Sequence, residues 1–130
     1  MSSPEFVDLE PAGEPLSCWV GAKIHGITVT DASVEYHGSI TVAHRLLKAA
    51  GIRPYERVHV VNLSTGARWD TYVLPGEEGV FTLNGGGARL GVKGDKCVIM
   101  TWRWATEMQP AGVVFCTPDN RVDAVGGYAS

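Results

Sequence analysis

The feature that most constrains the fold is a series of short, β-branched apolar runs that glycine, proline or asparagine interrupts from Leu16 onward. Runs of this kind, bounded by turn-forming residues, are typical of short β-strands. The sequence predicts a long first strand over residues 18–30 that its glycines can bend, a turn at residues 31–33 and a short returning strand at residues 34–36. Further strands are predicted at residues 57–63, 67–74, 80–83, 96–104, 112–116 and 121–125.

A single segment, residues 41–50, has clear helical spacing of its apolar side chains. Thr41 is suited to cap the start of this helix, and Gly51 is suited to end it. A short helical turn is predicted at residues 86–90, and Gly94–Asp95 is typical of a tight turn before the next strand. The predicted buried face of the helix consists of Val42, Leu46, Leu47 and Ala50.

Many short strands with one helix predict a mainly β fold, a small closed barrel, because closure removes exposed sheet edges. A chain of 130 residues is long enough for one such domain with its own core. Residues 1–15 contain three prolines and three glutamates without periodicity. We therefore expect a flexible tail at residues 1–15, a barrel domain at residues 16–125 and a frayed C-terminus at residues 126–130.

The charge pattern disfavours several classes of partner. The formal net charge is −3, and lysines and arginines form no cluster, which argues against nucleic acid and against an anionic membrane surface. A nucleic-acid-binding barrel would also need an aromatic and basic platform, which is missing from the sequence. Apolar runs stay well below the ~18 residues that cross a bilayer, so we expect a cytoplasmic protein.

The three cysteines, Cys18, Cys97 and Cys116, are widely spaced and have no C-x-x-C pattern. We expect them to be reduced, mostly buried thiols. The four histidines also lack the spacing of metal ligands, so no metal is expected.

The dipeptide Gly38–Ser39 is commonly found in turns, but it also has a chemical interpretation. A serine hydroxyl can attack the carbonyl of the preceding residue when that peptide is strained and unobstructed, and glycine suits both conditions. The attack converts the amide to an ester, β-elimination breaks the chain, and hydrolysis of the resulting dehydroalanine leaves a pyruvoyl group. The dipeptide alone is too common to carry this interpretation.

The surrounding motifs give the dipeptide its weight. In order and spacing they resemble those of the pyruvoyl-dependent aspartate 1-decarboxylases over most of the chain, from about Trp19 to about Val125. The matching motifs are Lys23-Ile24-His25, Tyr36-x-Gly38-Ser39, the hairpin from Asn62 to Tyr72 with Arg68, Thr71 and Tyr72, the Asn84-Gly85 loop, and Gly94-Asp95. The resemblance implies a six-stranded double-psi β-barrel with one or two short helices.

The resemblance also implies a self-generated cofactor and a reaction. Cleavage between Gly38 and Ser39 would give chains of 38 and 92 residues (130 − 38), the second carrying a pyruvoyl group made from Ser39. That group would form a Schiff base with the substrate amine and accept electrons as carbon dioxide leaves, without a metal or pyridoxal phosphate. L-Aspartate would become β-alanine, an intermediate of pantothenate biosynthesis.

Individual roles follow from the same resemblance. Lys23 and Arg68 would bind the substrate carboxylates, Arg68 through a planar, bidentate contact. Thr71 would assist processing by hydrogen-bonding the Gly38 carbonyl, and Tyr72 would donate the proton that replaces the lost carboxylate. Adjacent strand residues face opposite sides, which fits the family's homotetramer with sites shared between subunits.

The remaining site residues are expected in the loop that begins at Asn84 and in the wall of the pocket. Asn84, Gly85, Gly86 and Gly87 would offer donors to the substrate or the processing loop, although Asn84-Gly85 is equally typical of a plain turn. His25 and Tyr36 would line the pocket wall or be ordinary buried side chains.

Two departures from the family pattern leave alternatives open. His37 stands where we expect another residue type, and its imidazole would make processing depend on pH. The glycine run 85–87 stands where the family has a glycine followed by alanines, and the missing methyl groups would make a roomier loop. The alternatives are therefore the same chemistry on glutamate or a substituted aspartate, or a barrel that does not process itself and acts as a binding or assembly module.

Overall fold

The computed structural model describes residues 13–34 and 38–128 of the chain. Within these ranges lie nine strands, one α-helix, α1 (His44–Ala50), and a short 3₁₀ helix at Gly85–Arg89. The strands are β1 (Ser17–Thr28), β2 (Asp31–Ser33), β3 (Ser39–Ala43), β4 (Arg57–Asn62), β5 (Arg68–Gly76), β6 (Phe81–Asn84), β7 (Lys96–Ala105), β8 (Ala111–Cys116) and β9 (Val122–Tyr128). The fold is mainly β, as the sequence predicts.

All nine strands form one mixed sheet in the order β2-β6-β3-β5-β4-β7-β1-β8-β9. Strand pairs β2–β6, β3–β5 and β1–β8 are parallel, and the other neighbours are antiparallel. The prediction of six strands in a closed barrel was wrong in both respects for the described residues. Strand β2 occupies one end of the sheet order and β9 the other, and no pairing in the described ranges joins them.

One apolar core stabilises the sheet. Alternate residues of β1, β3 and β4 point into it, and the α1 residues Leu46, Leu47 and Ala50 cover one part. Side chains such as Ile24, Ile40 and Phe81 are completely buried there. Burial of this kind contributes about 1.5–3 kcal/mol for each large aliphatic or aromatic side chain, so the core supplies most of the driving force for folding.

The prediction for the segment around Thr41 was wrong. Thr41 belongs to β3, and α1 begins only at His44 without a side-chain cap. The segment pairs with β5 on one side and β6 on the other, so its backbone hydrogen bonds are made in the sheet rather than in a helix. The predicted end is confirmed, because Gly51 has φ 75° and its N–H donates to the carbonyl of Lys48.

The first strand is bent where the sequence places its glycines. The pairing of β1 with β7 shifts register between Val20 and Lys23 and again between His25 and Ile27. Gly21 lies in the first irregularity and Gly26, with φ 82°, in the second. These bulges set the direction of the two polar side chains between them, Lys23 and His25.

Three further predictions differ from the structure in detail. Residues 31–33 form strand β2 rather than a turn, because they pair in parallel with β6. Of the strand predicted at residues 34–36, residues 35 and 36 lie outside the described residues. At the other end, β9 extends to Tyr128 because Gly126 and Gly127 still pair with β8.

In the two described ranges, no helix has the length and apolar character that crossing a membrane requires.

Candidate active site

Ser39 opens strand β3 at a buried position between β5 and β6, and only 4% of its surface is exposed. The antiparallel register sets it directly opposite Asn84, the last residue of β6. The Asn84 side-chain amide donates to Ser39 Oγ at 3.2 Å and to Thr41 Oγ1 at 3.1 Å. The serine hydroxyl is therefore held by a neutral amide donor.

A cavity of about 540 Å³ opens at Ser39. Of the residues predicted from the sequence, Ser39, Tyr72 and Asn84 line it. Among the described residues that line it there is no lysine or arginine. The lining residues that the sequence did not indicate are Asp31, Ser33, Thr41, Tyr55, Leu74 and Thr82.

Tyr55 is the most distinctive of these additional residues. Its ring stacks on that of Tyr72, with 6.4 Å between the ring centroids and 19° between the planes. Its φ of 69° lies in the left-handed region, which is unfavourable for an aromatic residue. The Tyr55 N–H donates to the carbonyl of Val73 at 2.7 Å, so β5 holds this turn in place beside Tyr72. The signal in the sequence that could have indicated this turn was the dipeptide Pro54-Tyr55.

Lys23 and Arg68 lie elsewhere on the same chain. Lys23 is on β1, four steps from β3 in the sheet order, which at about 4.8 Å per step is about 19 Å along the sheet. Arg68 is four residues before Tyr72 on β5, about 13 Å along an extended strand. Neither Lys23 nor Arg68 is among the described residues that line the Ser39 cavity, so that lining supplies no cation for a carboxylate.

Thr71 does not line the cavity, although its neighbour Tyr72 does. Thr71 is paired with buried Val58 and faces the side of β5 opposite to Tyr72. The alternation of strand side chains thus separates the two predicted functions, processing and protonation.

The glycine run after Asn84 forms the 3₁₀ helix and contributes no side chains to the cavity lining. Gly85 is buried with φ 64°, a conformation that favours glycine. A Cβ on Gly86 would meet nothing within 4 Å, but one on Gly87 would stand 2.9 Å from Trp69 Nε1. The space that Gly87 leaves is therefore taken by the Trp69 indole, whose N–H is buried and has no hydrogen-bond partner among the described residues.

The remaining predicted residues are partly described. No atom of the described residues lies within 4 Å of the position of a Cβ on Gly38, so this side of the Gly38–Ser39 peptide is open. Tyr36 and His37 lie outside the described residues. His25 is half-buried on β1, and its ring meets the edge of Phe115 at 5.8 Å, far from β3 in the sheet order.

The thiols are poor candidates for chemistry at neutral pH. Burial raises the pKa of Cys97 to about 12, with a smaller contribution from the Asp95 carboxylate. Burial likewise raises the pKa of Cys116 to about 11. Cys18 is exposed, whereas mostly buried thiols are expected from the sequence. All three cysteines are free of disulfides. In the described part of the chain, no three histidine, cysteine or acidic side chains group as metal ligands.

Comparison with known proteins gives a consistent result. Residues 16–123 match the family model described as aspartate decarboxylase. The aspartate 1-decarboxylase of Dehalococcoides mccartyi strain 195 is 49% identical over 117 residues, which cover 84% of this chain and 94% of that protein. The protein of the same name from Clostridium novyi is 44% identical over 114 residues, covering 82% and 92%. That from Leptospira biflexa is 48% identical over 107 residues, covering 76% and 90%.

Proposed function

The chain belongs to the aspartate decarboxylase family, and from that premise we propose that it converts L-aspartate to β-alanine and carbon dioxide with a pyruvoyl group made from its own Ser39. The observation that carries the proposal is the buried Ser39 hydroxyl, which opens into a cavity and accepts a hydrogen bond from Asn84. A solvated turn serine would have neither the burial nor the donor.

The residues around Ser39 fit the formation of this group. Ser39 Oγ attacks the Gly38 carbonyl carbon, the peptide nitrogen leaves as a free amine, and an ester joins the two residues. Loss of the Ser39 α-proton then expels the Gly38 carboxylate, and water adds to the dehydroalanine with release of ammonia. Asn84 orients Oγ for the first step at 3.2 Å, and the open space beside Gly38 admits that approach. We assign the donor for the Gly38 carbonyl to Thr71, as the family motif implies.

At position 39, beside Asn84 and Tyr72, a pyruvoyl group would supply an electrophilic carbonyl and an electron sink for decarboxylation. Tyr72 provides the proton that takes the place of the carboxylate, since its phenol lines the same cavity as Ser39. Tyr55 limits the movement of the Tyr72 ring by stacking on it. Asn84 keeps its amide within reach of the group at position 39.

We also propose that the active sites lie between subunits of a homotetramer. A dicarboxylate needs cations, and none is found among the described residues that line the Ser39 cavity, whereas Lys23 and Arg68 project from the outer face of β1 and β5. On the same face of β7, Trp102 and Trp104 expose 48% and 68% of their surfaces. An exposed apolar surface of this kind is typical of a subunit contact. A second copy seated there would bring its own Ser39 cavity to Lys23 and Arg68.

Aspartate is a better substrate candidate than a larger acidic amino acid. The glycine run would enlarge the site only if its missing methyl groups left free space beside the cavity. Trp69 fills that space at Gly87, and neither Gly86 nor Gly87 lines the cavity. A panel of L-aspartate, L-glutamate and 3-methyl-aspartate assayed for carbon dioxide release tests the choice, and a higher kcat/KM for either alternative would overturn it.

We also propose a type of strand connection and a cellular location. Three parallel strand pairs among antiparallel neighbours support a double-psi type of strand connection within this nine-stranded sheet. The three free thiols are compatible with a reducing compartment, so we propose the cytoplasm.

The decisive experiment for self-processing uses a denaturing gel and an intact-mass spectrum of the purified protein. We expect two fragments that meet at Gly38–Ser39, with the larger one forming a hydrazone with a carbonyl reagent. Ser39→Ala should remain one intact chain without decarboxylase activity. Ser33→Ala is the matched control, because Ser33 lines the same cavity and also pairs with Asn84, and it should still be cleaved. A single uncleaved wild-type chain after long, warm incubation would refute the proposal.

A further inference from the structure

Arg68 does not stand alone on the outer face of β5. Its Nε donates to Nε2 of His59 on the neighbouring strand β4, at 3.1 Å. The other ring nitrogen, Nδ1, lies 2.8 Å from Asp70 Oδ1, and Arg57 donates to Asp70 Oδ2 at 2.8 Å. A continuous chain of hydrogen bonds therefore runs from Arg68 through His59 and Asp70 to Arg57.

This chain of contacts determines where the His59 proton lies. Because Arg68 has only donors to offer, Nε2 must accept, and the ring proton is then on Nδ1 and is donated to Asp70. The hydrogen bond from His59, followed by that from Arg57, holds the pKa of the Asp70 carboxyl below its usual value. Asp70 thus remains an acceptor and keeps the imidazole in the tautomer that Arg68 requires.

The sheet holds the imidazole firmly. The register sets His59 directly between Asp70 on β5 and Met100 on β7, so that all three side chains lie on one face. The Trp102 ring packs against it with 6.3 Å between the centroids. Only 17% of the His59 side chain is exposed, which makes it a fixed acceptor beside an exposed, long and otherwise mobile arginine.

We infer that His59, oriented by Asp70, is a positioning residue for Arg68 and makes it a preformed clamp for the substrate carboxylate that remains in the product. The inference rests on the proposed function, which assigns Arg68 to that carboxylate. With Nε occupied by His59, the two terminal nitrogens are left to form the paired contacts with a carboxylate. The substrate then meets a guanidinium whose orientation is already fixed, so less freedom is lost on binding.

The test compares two substitutions at His59 in the full-length, processed protein. His59→Phe keeps a ring but removes the acceptor, and we expect KM for L-aspartate to rise about tenfold with kcat within about twofold of wild type. His59→Gln offers a side-chain oxygen to Arg68 Nε and should restore most of the affinity. His44→Phe is the matched control, because His44 opens α1 and its ring contacts Gly76 at the end of β5 opposite to Arg68. Its KM should equal that of wild type.

Coupling to Arg68 separates positioning from a general structural effect. In the Arg68→Ala background, His59→Phe should raise KM no further, because the group that it positions is gone. An unchanged KM in His59→Phe, a fall in kcat as large as the rise in KM, or no recovery in His59→Gln would each overturn the inference.

A binding measurement keeps this inference distinct from the proposed function. Succinate carries two carboxylates but no amine, so its calorimetric Kd reports the clamp without turnover. We expect His59→Phe to weaken succinate binding about tenfold, even if wild type fails to decarboxylate aspartate. Equal Kd values in wild type and His59→Phe, or no binding to wild type, would overturn the clamp. Absence of carbon dioxide release alone would overturn only the proposed reaction.

Discussion

At the scale of single residues, Tyr72 and Tyr55 both bring a phenol to the Ser39 cavity, and Tyr72 is the proton donor that we propose. Tyr72 carries a phenol into the space that Ser39 also borders, and in the part of the chain that the structure describes no lysine lines that space. We expect Tyr72→Phe to lower kcat by about 100-fold or more, the usual contribution of a general acid. Cleavage at Gly38–Ser39 should continue, because the processing chemistry does not use this hydroxyl. Steady-state assays and a denaturing gel of the same preparation measure the two effects separately.

Tyr128→Phe makes the same chemical change on β9, at the opposite end of the sheet order from the cavity strands β2, β6 and β3. Its kcat should match that of wild type. A Tyr72→Phe protein with unchanged kcat would show that another group donates the proton. One that is no longer cleaved would place Tyr72 in processing instead.

Sequence reasoning identified the residues whose roles depend on local motifs and missed those that long-range pairing brings in. Ser39, Tyr72 and Asn84 were predicted as site residues, and the structure places all three around one cavity. Asp31 enters that cavity only because β2 pairs in parallel with β6, a contact between segments about 50 residues apart that no local pattern encodes. Tyr55 enters through a left-handed turn that glycine or asparagine would have signalled more clearly.

At the scale of secondary-structure elements, the largest error was the start of the helix. Residues 40–43 satisfy helical spacing with the residues that follow, yet they form β3 because β5 and β6 both offer them strand partners. Tertiary pairing overrides a local preference worth only fractions of a kcal/mol per residue. Strand β3 also matters for function, because a strand fixes the position of Ser39 more firmly than the turn before a helix would.

The 3₁₀ helix at Gly85–Arg89 gives a prediction about stability. Gly87→Ala would set a Cβ 2.9 Å from the Trp69 indole nitrogen, and that ring is packed against the core. We expect a loss of about 1–3 kcal/mol in the free energy of unfolding, as for other overpacked sites. Urea denaturation followed by tryptophan fluorescence measures the change.

Gly86→Ala is the matched control in the same element, because a Cβ there meets nothing within 4 Å. Its free energy of unfolding should stay within about 0.5 kcal/mol of wild type. Equal effects of the two substitutions would mean that backbone conformation, rather than contact with Trp69, explains the glycine run.

At the scale of the whole molecule, the sheet order separates the two halves of the chemistry. Ser39 and Tyr72, the proposed cofactor precursor and proton donor, lie around β3, β5 and β6, whereas Lys23 is four strands away on β1. The motifs predicted every one of these residues but not their separation, because sheet order is set by crossovers between distant segments. The shared site that we propose would resolve the separation, since two copies would supply the two halves to each other.

Mixed oligomers test this arrangement directly. Arg68→Ala removes the carboxylate clamp and Tyr72→Phe removes the proton donor, so each homogeneous protein should be nearly inactive. When the two are co-expressed and purified as one assembly, a site that takes its cavity from the Arg68→Ala chain and its clamp from the Tyr72→Phe chain is intact. Random assortment makes such sites about one quarter of the total, so about one quarter of the wild-type kcat should return. Mixing the two proteins after separate purification, under conditions where subunits do not exchange, is the control and should recover none. If the co-expressed assembly is as inactive as its parents, each chain must build its site alone, and the substrate carboxylate must be bound by groups other than Arg68 of a neighbouring copy.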